Sequence, residues 1–297
     1  MRLMKLSLIT AAKSLDDPKL KELIASIERQ DFPKDEMEHL IITEGTSESA
    51  KAIGIRRAKG EVVGILASDN ELVETNFLSR HYSMAQIEGS AQGCYYHYEK
   101  NDDVLNRYFS LFGFNDPLAF YMGKCDRVPR VDVIGPLEPG INCTIGDNGY
   151  FVRKDLIENT DLDNYFHIDN ALEAMNKPFY LYSSIWHKTG GNLIHFLRKR
   201  YRYGLQHAFN KNRRWHLVDF SRKEDICRLV WFVIASLTLI HPLSTSIRGY
   251  LKLRDLAWFY HPVMCIATTL VYGSLLIHVA LRRLFQSSSV PTEGKIA

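Results

Sequence analysis

The first 72 residues alternate between short apolar runs and stretches with helical spacing, and this restricts the possible folds more than any other feature. Lys5 to Ala12 is apolar without strict alternation, the pattern of a strand buried on both faces. Asp16-Asp17-Pro18 then opens a helix, with Pro early in it and Leu20, Leu23, Ile24 and Ile27 at helical spacing. Glu38 to Thr43 reads as a second strand, stopped by Glu44-Gly45-Thr46-Ser47, and Ser49 to Lys59 as a short helix stopped by Gly60. Val62 to Ala67 is the third strand, ending in Ser68-Asp69-Asn70-Glu71. Strand, helix, strand, helix, strand at these lengths is a βαβαβ unit with a parallel sheet. Right-handed crossovers bring the strand tips to one edge, so Thr10-Ala11, Glu44 and Asp69 are expected in one crevice. Ligands of open α/β sheets bind outside such strand ends.

The acidic tip carries the chemistry. A buried strand holds the backbone still while Asp69 stays exposed, which makes it a candidate ligand for a divalent cation set against a nucleotide diphosphate. Oxygen ligands suit Mg²⁺ or Mn²⁺. The rival reading of Asp69 is a cap for the next helix, a position that Asp favours.

The remaining α/β region continues the mixture. Asn76 to Ile87 reads as a helix and Gly93 to Tyr98 as a strand. Asn106 to Met122 is aromatic and helical in parts, broken at Asn115-Asp116-Pro117. A loop with three prolines follows, then a turn at Gly146-Asp147-Asn148-Gly149 leading into Tyr150-Phe151-Val152-Arg153. Asp169-Asn170 precedes a short helix, and Phe179 to Ser184 is a last strand before Ile185-Trp186-His187. Five scattered cysteines form no metal spacing and no even set, which points to reduced thiols and a cytosolic face. The sequon Asn142-Cys143-Thr144 is then without consequence, and the short apolar N-terminus reads as a core strand rather than a signal peptide.

From Gly191 the character changes. The net charge of +3 is too small to imply nucleic acid, but basic residues concentrate after Arg198. Leu193 to His207 sets Arg198, Lys199, Arg200 and Arg202 among apolar and aromatic residues, a basic amphipathic helix suited to an anionic membrane surface. Ile226 to Ile247, with Pro242 inside it, and Leu256 to Leu281 are each about the roughly 20 residues that a spanning helix needs. Arg282-Arg283 fits a cytoplasmic C-terminus. The expected arrangement is two spans with both ends cytoplasmic, and a segment that dips in and returns is its rival.

Taken together, IITEGTSES, KAIGIRRAKGE, VVGILASDN, IGDNGYFVRK, HIDNAL and YLYSSIWH resemble, in order and spacing, the motifs of family 2 glycosyltransferases with the GT-A fold. The resemblance covers roughly residues 5 to 205. It implies a Rossmann-like α/β fold with a mixed, mostly parallel sheet flanked by helices. Here an amphipathic helix and a C-terminal transmembrane hairpin follow. The expected domains are residues 1–190 for nucleotide-sugar binding and catalysis, 191–224 for a basic interface segment, and 225–297 for membrane segments at about 226–247 and 256–281.

The same resemblance distributes roles. It implies Thr10, Ala11, Glu44, Lys51, Ser68 and Asp69 at the nucleotide sugar, with Glu44 accepting from the base ring. Asp69 and His187 would hold the metal, and Asp169 would be the general base of an inverting transfer. Asp147 and Asn148 fall in the acceptor or donor-sugar loop, and Arg198, Arg200 and Arg202 match a lipid phosphate or diphosphate. Three positions depart from the family pattern. Ala67 stands where the first Asp of Asp-x-Asp is expected, and Ala52 where an Asn is expected. Ile168 likewise replaces the Glu of the catalytic Glu-Asp pair. The expectation is a membrane-anchored inverting glycosyltransferase facing the cytoplasm, moving a sugar from a nucleotide diphosphate to a lipid-linked or glycan acceptor. A catalytically impaired scaffold of the same fold is one alternative. A sugar-phosphate nucleotidyltransferase is another, disfavoured because TAAKSLDDP replaces a Gly-rich phosphate loop after the first strand.

Overall fold

The computed structural model describes residues 4–129, 148–157, 179–189, 192–209 and 217–287. The chain forms two compact units, residues 1–115 with 123–190, and residues 116–122 with 191–297.

The first unit is mixed α/β. Its N-terminal elements are β1 (Leu6–Ala11), α1 (Pro18–Glu28), β2 (Met37–Ile42), α2 (Ser47–Arg57) and β3 (Val62–Ile65). Local chemistry sets the boundaries. Asp17 caps α1 by accepting from the Lys19 amide at 3.0 Å, with Pro18 in the first turn. Thr46 and Ser49 form a reciprocal capping box at α2. Then follow β4 (Asn70–Leu72), α3 (Phe77–Glu88), β5 (Ser90–Tyr96), α4 (Val104–Phe112), β6 (Tyr150–Arg153), a short turn of helix at Lys154–Ile157, and β7 (Phe179–His187).

The seven strands lie in the order β2-β1-β3-β6-β5-β7-β4. β1 is parallel to β2 and β3, pairing Ala11 with Ile42 and Ile9 with Ile65. The tips of these three strands therefore share one edge, as the crossover rule requires. The rest of the sheet differs from the mostly parallel expectation. β6 runs antiparallel to β3 and β5, β4 runs antiparallel to β7, and only β5–β7 is parallel. The βαβαβ unit fixes the sense of its own strands only. The later strands arrive through other connections and can pair either way.

Strand residues divide between two cores. Leu6, Leu8 and Val62 meet α1 and α3 through Leu20, Leu23, Phe77 and Leu78. Ile9, Val63 and Ile65 meet α2 through Ala52 and Ile55. Burial on both faces explains why these strands read as continuous apolar runs.

The second unit is helical. It contains α5 (Pro117–Met122), α6 (Leu193–Phe209), α7 (Lys223–Thr238), α8 (Ile240–Lys252), and α9 (Tyr260–Ser287), which a tight turn at Leu256–Phe259 precedes. The expected hairpin of two spans comes out as two unlike segments. Among the described residues, only Leu256–Arg282 is long and apolar enough to cross a membrane by itself. The segment at 226–247 is two helices bent by 80°. The break is at Leu239, whose φ of 60° is the left-handed region. Pro242 explains it. Its ring would strike the carbonyl of Thr238 in a continuous helix, whereas in the first turn of α8 its missing N–H costs nothing.

Candidate functional site at the strand tips

The chain leaves β3 at Ile65 and turns through Leu66–Asp69 into β4. The amide of Ala67 donates to Asn70 Oδ1 at 2.9 Å, which closes this turn. β4 pairs Asn70 with His187 of β7. That register brings Asp69 beside His187, with Oδ2 3.4 Å from Nε2. The two metal candidates, 118 positions apart in sequence, are thus neighbours, and both are largely enclosed. The other ring nitrogen of His187, Nδ1, is buried with no hydrogen-bond partner among the described residues.

A buried polar network stands behind this pair. The His187 ring lies 5.4 Å from that of Tyr96. Tyr96 donates to Asp126 Oδ2 at 2.5 Å and accepts from Asn148 Nδ2 at 3.1 Å. Asn148 Oδ1 accepts from Asn70 Nδ2 at 3.0 Å, returning the network to the strand tip. Arg127, fully buried, donates to the carbonyl of Asn148 and, at 2.7 Å, to that of Asp126. Its guanidinium also lies 5.1 Å from the Tyr96 ring centre. Burial first, and the Asp126 carboxylate second, push the Tyr96 hydroxyl well above its ordinary value, so it stays protonated and donates. Two glycines make this packing possible. Gly113 and Gly149 both have positive φ, and a Cβ at Gly113 would fall 2.5 Å from the Arg127 carbonyl oxygen.

Next to the site, Trp186 donates its indole N–H to Asp102 Oδ2 at 2.8 Å, and Lys188 lies over the Trp186 ring. Lys188 also pairs with Glu71 at 2.6 Å and Glu22 at 2.9 Å. Burial alone would lower the Lys188 ammonium, but hydrogen bonds to those carboxylates hold it above its usual value.

The remaining expected site residues are dispersed. Ala11 ends β1 at the same edge, half-buried, and Ser68 sits half-buried in the turn. Thr10 is fully buried and its hydroxyl is 2.9 Å from His39 Nε2, so it faces β2 rather than the edge. Glu44 is exposed and pairs with Arg57 at 3.5 Å, and Lys51 is buried within α2. Asn148 enters the network, whereas Asp147 and Asp169 lie outside the described residues. In the helical unit Arg200 lies 3.5 Å from Asp116, and Arg198 and Arg202 are exposed on α6. Sequence reasoning missed Tyr96, Asp126 and Arg127. The only trace was an Asp-Arg pair in the Lys124–Pro129 stretch, which looks like solvated loop until its burial is known.

The donor set fits a divalent cation of a particular kind. Asp69 and His187 offer an oxygen and a nitrogen at ligand-edge separation. Among the described residues no group of three or more His, Cys, Asp or Glu side chains makes a complete cage. Mg²⁺ is commonly held by one or two carboxylates plus substrate phosphates, and Asp69 is the carboxylate of this pair.

No protein-family model matches this sequence, and no characterised protein matches it. Solved structures give distant likenesses. TarS 1–349 of S. aureus, in complex with UDP-GlcNAc, is 14% identical over 91% of each chain, with a TM-score of 0.44. The mannosyltransferase PcManGT of Pyrobaculum calidifontis, in complex with GDP-Man and Mn²⁺, is 12% identical over 90% of this chain and 86% of that one, with a TM-score of 0.46. A197 from STIV is 12% identical over 61% of this chain and 83% of that one, with a TM-score of 0.36. Likenesses this remote carry no assignment.

Proposed function

We propose that this chain is a membrane-attached, inverting glycosyltransferase that takes a sugar from a nucleotide diphosphate donor on the cytoplasmic side and passes it to a lipid-linked or glycan acceptor. The observation that carries the proposal is the Asp69–His187 pair at the edge where β1, β2 and β3 end. A bound Mg²⁺ or Mn²⁺ would offset the charge that develops on the departing diphosphate. Asp69 and His187 would hold it, and Ala11, Glu44 and Ser68, at or just past the ends of β1, β2 and β3, would bind the nucleotide. The Tyr96–Asn148–Asn70 network fixes the strand tip, so the pair does not have to be organised when the donor arrives.

Asp169 is the proposed base. It takes the proton of the acceptor hydroxyl while that oxygen attacks the anomeric carbon from the side opposite the diphosphate. Asp147, Arg198, Arg200 and Arg202 are proposed on the acceptor side, in keeping with guanidinium recognition of phosphate. The basic and apolar helical unit supports a lipid-linked acceptor, since an enzyme with a soluble acceptor has little use for it.

Turnover of UDP-, GDP-, CDP- and dTDP-sugars with and without Mn²⁺, in the wild type and in Asp169→Asn, tests the reading. One donor should turn over in a metal-dependent way, and the variant should lose it. One observation favours a second reading, a non-catalytic scaffold: Ala67 stands where the resemblance expects an Asp that contacts the donor, and a methyl side chain cannot accept a hydrogen bond there. Calorimetry that detects binding of no nucleotide sugar would select it.

A further inference from the structure

We propose that the helical unit is a monotopic membrane module: it enters one leaflet of an anionic phospholipid bilayer from the cytoplasmic side, and none of its described helices crosses. This rests on the membrane attachment proposed above and specifies its form.

The bent pair comes first. α7 has 16 residues and α8 has 13, so they are about 24 and 20 Å long, short of the roughly 30 Å hydrocarbon core. Their 80° bend keeps them from adding up to a span. Charge agrees with this. Lys223 and Arg228 precede the pair's apolar stretch and Arg248 and Lys252 follow it, while residues 229–247 contain no Asp, Glu, Lys or Arg. Charges at both ends and none at the bend describe a wedge whose ends return to one surface. The bend is also where apolar exposure peaks, at Leu237 (69%) and Ile240 (74%).

α9 is long enough to cross, but its neighbours argue against it. Any stretch of 20 residues drawn from Leu256–Arg282 contains Tyr272. Tyr272 donates to Asp116 Oδ2 at 2.5 Å, and Arg200 Nε lies 3.5 Å from the same oxygen. α6 then follows this part of α9. A Cβ on Gly204 would strike Leu275, and Tyr201 meets His278 at 2.6 Å. α6 also carries Arg198 and Arg202, both exposed. A spanning α9 would draw two exposed guanidiniums towards hydrocarbon, where charged groups are tolerated almost only when they face protein or water. At headgroup level the same side chains meet lipid phosphate.

The surface fits that occupant. Val230 and Ile234 on α7, Leu243 and Ile247 on α8, and Leu270 and Ile277 on α9 leave an exposed apolar stripe on each helix. Residues 191–297 hold sixteen Lys and Arg against five Asp and Glu. Apolar stripes with a basic surplus are the composition of helices that lie in an anionic interface.

The test uses the full chain in sealed, inverted membrane vesicles of an expression host. A cysteine is added after Ala297, Lys252→Cys places another at the end of α8, ahead of α9, Cys227 serves as the exposed reference, and the other native cysteines are changed to Ser. A membrane-impermeant maleimide should label all three thiols without detergent. Labelling of either added thiol only after detergent, with Cys227 open throughout, would show that a helix of this unit crosses, the hairpin with both ends cytoplasmic included; the monotopic arrangement would fall and membrane attachment would stand. A chain that neither stays on these vesicles nor floats with phosphatidylglycerol liposomes would remove attachment itself, and the proposal with it. Self-association without lipid counts as the same failure. The double change Leu237→Glu with Ile240→Glu should lower the floated fraction about tenfold, given how strongly interfacial binding follows buried apolar area. Unchanged flotation would show that the bend is not the immersed point.

Discussion

The two units treat charge and apolar surface in opposite ways. The first unit carries more acidic than basic side chains, 28 against 21, and packs its apolar residues into two cores around the sheet. Residues 191–297 are strongly basic and leave apolar stripes outside. In the first unit a buried polar network of Tyr96, Arg127, Asn148 and Asn70 stands beside Asp69 and His187. In the second, the exposed basic groups are spread along helices. The chain thus separates a place of defined geometry from a basic, apolar surface that lacks it. A small ligand needs the first, because its orientation depends on fixed donors and acceptors. A fluid bilayer needs only area and charge.

The largest effect that would sharpen this contrast lies in catalysis. Asp169→Asn should lower sugar turnover by about 10²–10⁴, the range for a lost general base. Steady-state rates on the active donor give the value, and near-normal turnover would move the base elsewhere. Next comes the buried arginine. Arg127→Met leaves Asp126 without its guanidinium in the interior and should cost about 3–5 kcal/mol in urea unfolding. Arg202→Met, on the exposed face of α6, should stay within about 0.5 kcal/mol. Equal losses in the two variants would erase the distinction between the units.

A pH effect follows from His39. Burial pushes its pKa down to about 4 in the folded chain, against 6.5 for the ordinary side chain. Between those values the unfolded chain binds more protons, so stability is full above about pH 6.5 and falls as pH drops towards 4. The loss is at most about 3 kcal/mol. His81, pushed to about 3 by burial, adds a similar slope that extends lower. His39→Gln should flatten its share of the decline in unfolding measured from pH 7 to 4. The smallest effect is at Glu44. Removing its exposed pair with Arg57 in Glu44→Gln should cost at most about 1 kcal/mol, so any larger change in nucleotide affinity would reflect contact with the base ring.

How much of this was legible in the sequence depends on how locally each feature is determined. β1, α1, β2, α2 and β3 follow from apolar periodicity and capping residues, because each is specified within about ten positions. Their shared edge follows from handedness. β4 could not be read, since three residues have no period, and its pairing with β7 is decided by a strand more than a hundred positions away. β6 looked like the exit of a turn because YFVR is equally short. The Asp69–His187 pair was suggested by the strand tip and the family resemblance, and it is the β4–β7 register that makes the two neighbours. Arg127 was invisible because an arginine in a Pro-containing loop is ordinarily solvated, and only tertiary packing buries it. In the helical unit the kink was legible as Pro242, but its place was not. The helix breaks three residues earlier, where the proline ring would have met Thr238.

Asp69 remains the residue on which the functional account turns. Asp69→Ala, purified and compared with wild type for Mn²⁺-dependent turnover of the active nucleotide sugar, is the most direct test. Loss of metal-dependent turnover with an unchanged unfolding midpoint is the predicted result. Turnover that keeps its wild-type rate and metal dependence would contradict the account, because it would show that the acid at the tip of β3 does not hold the cation.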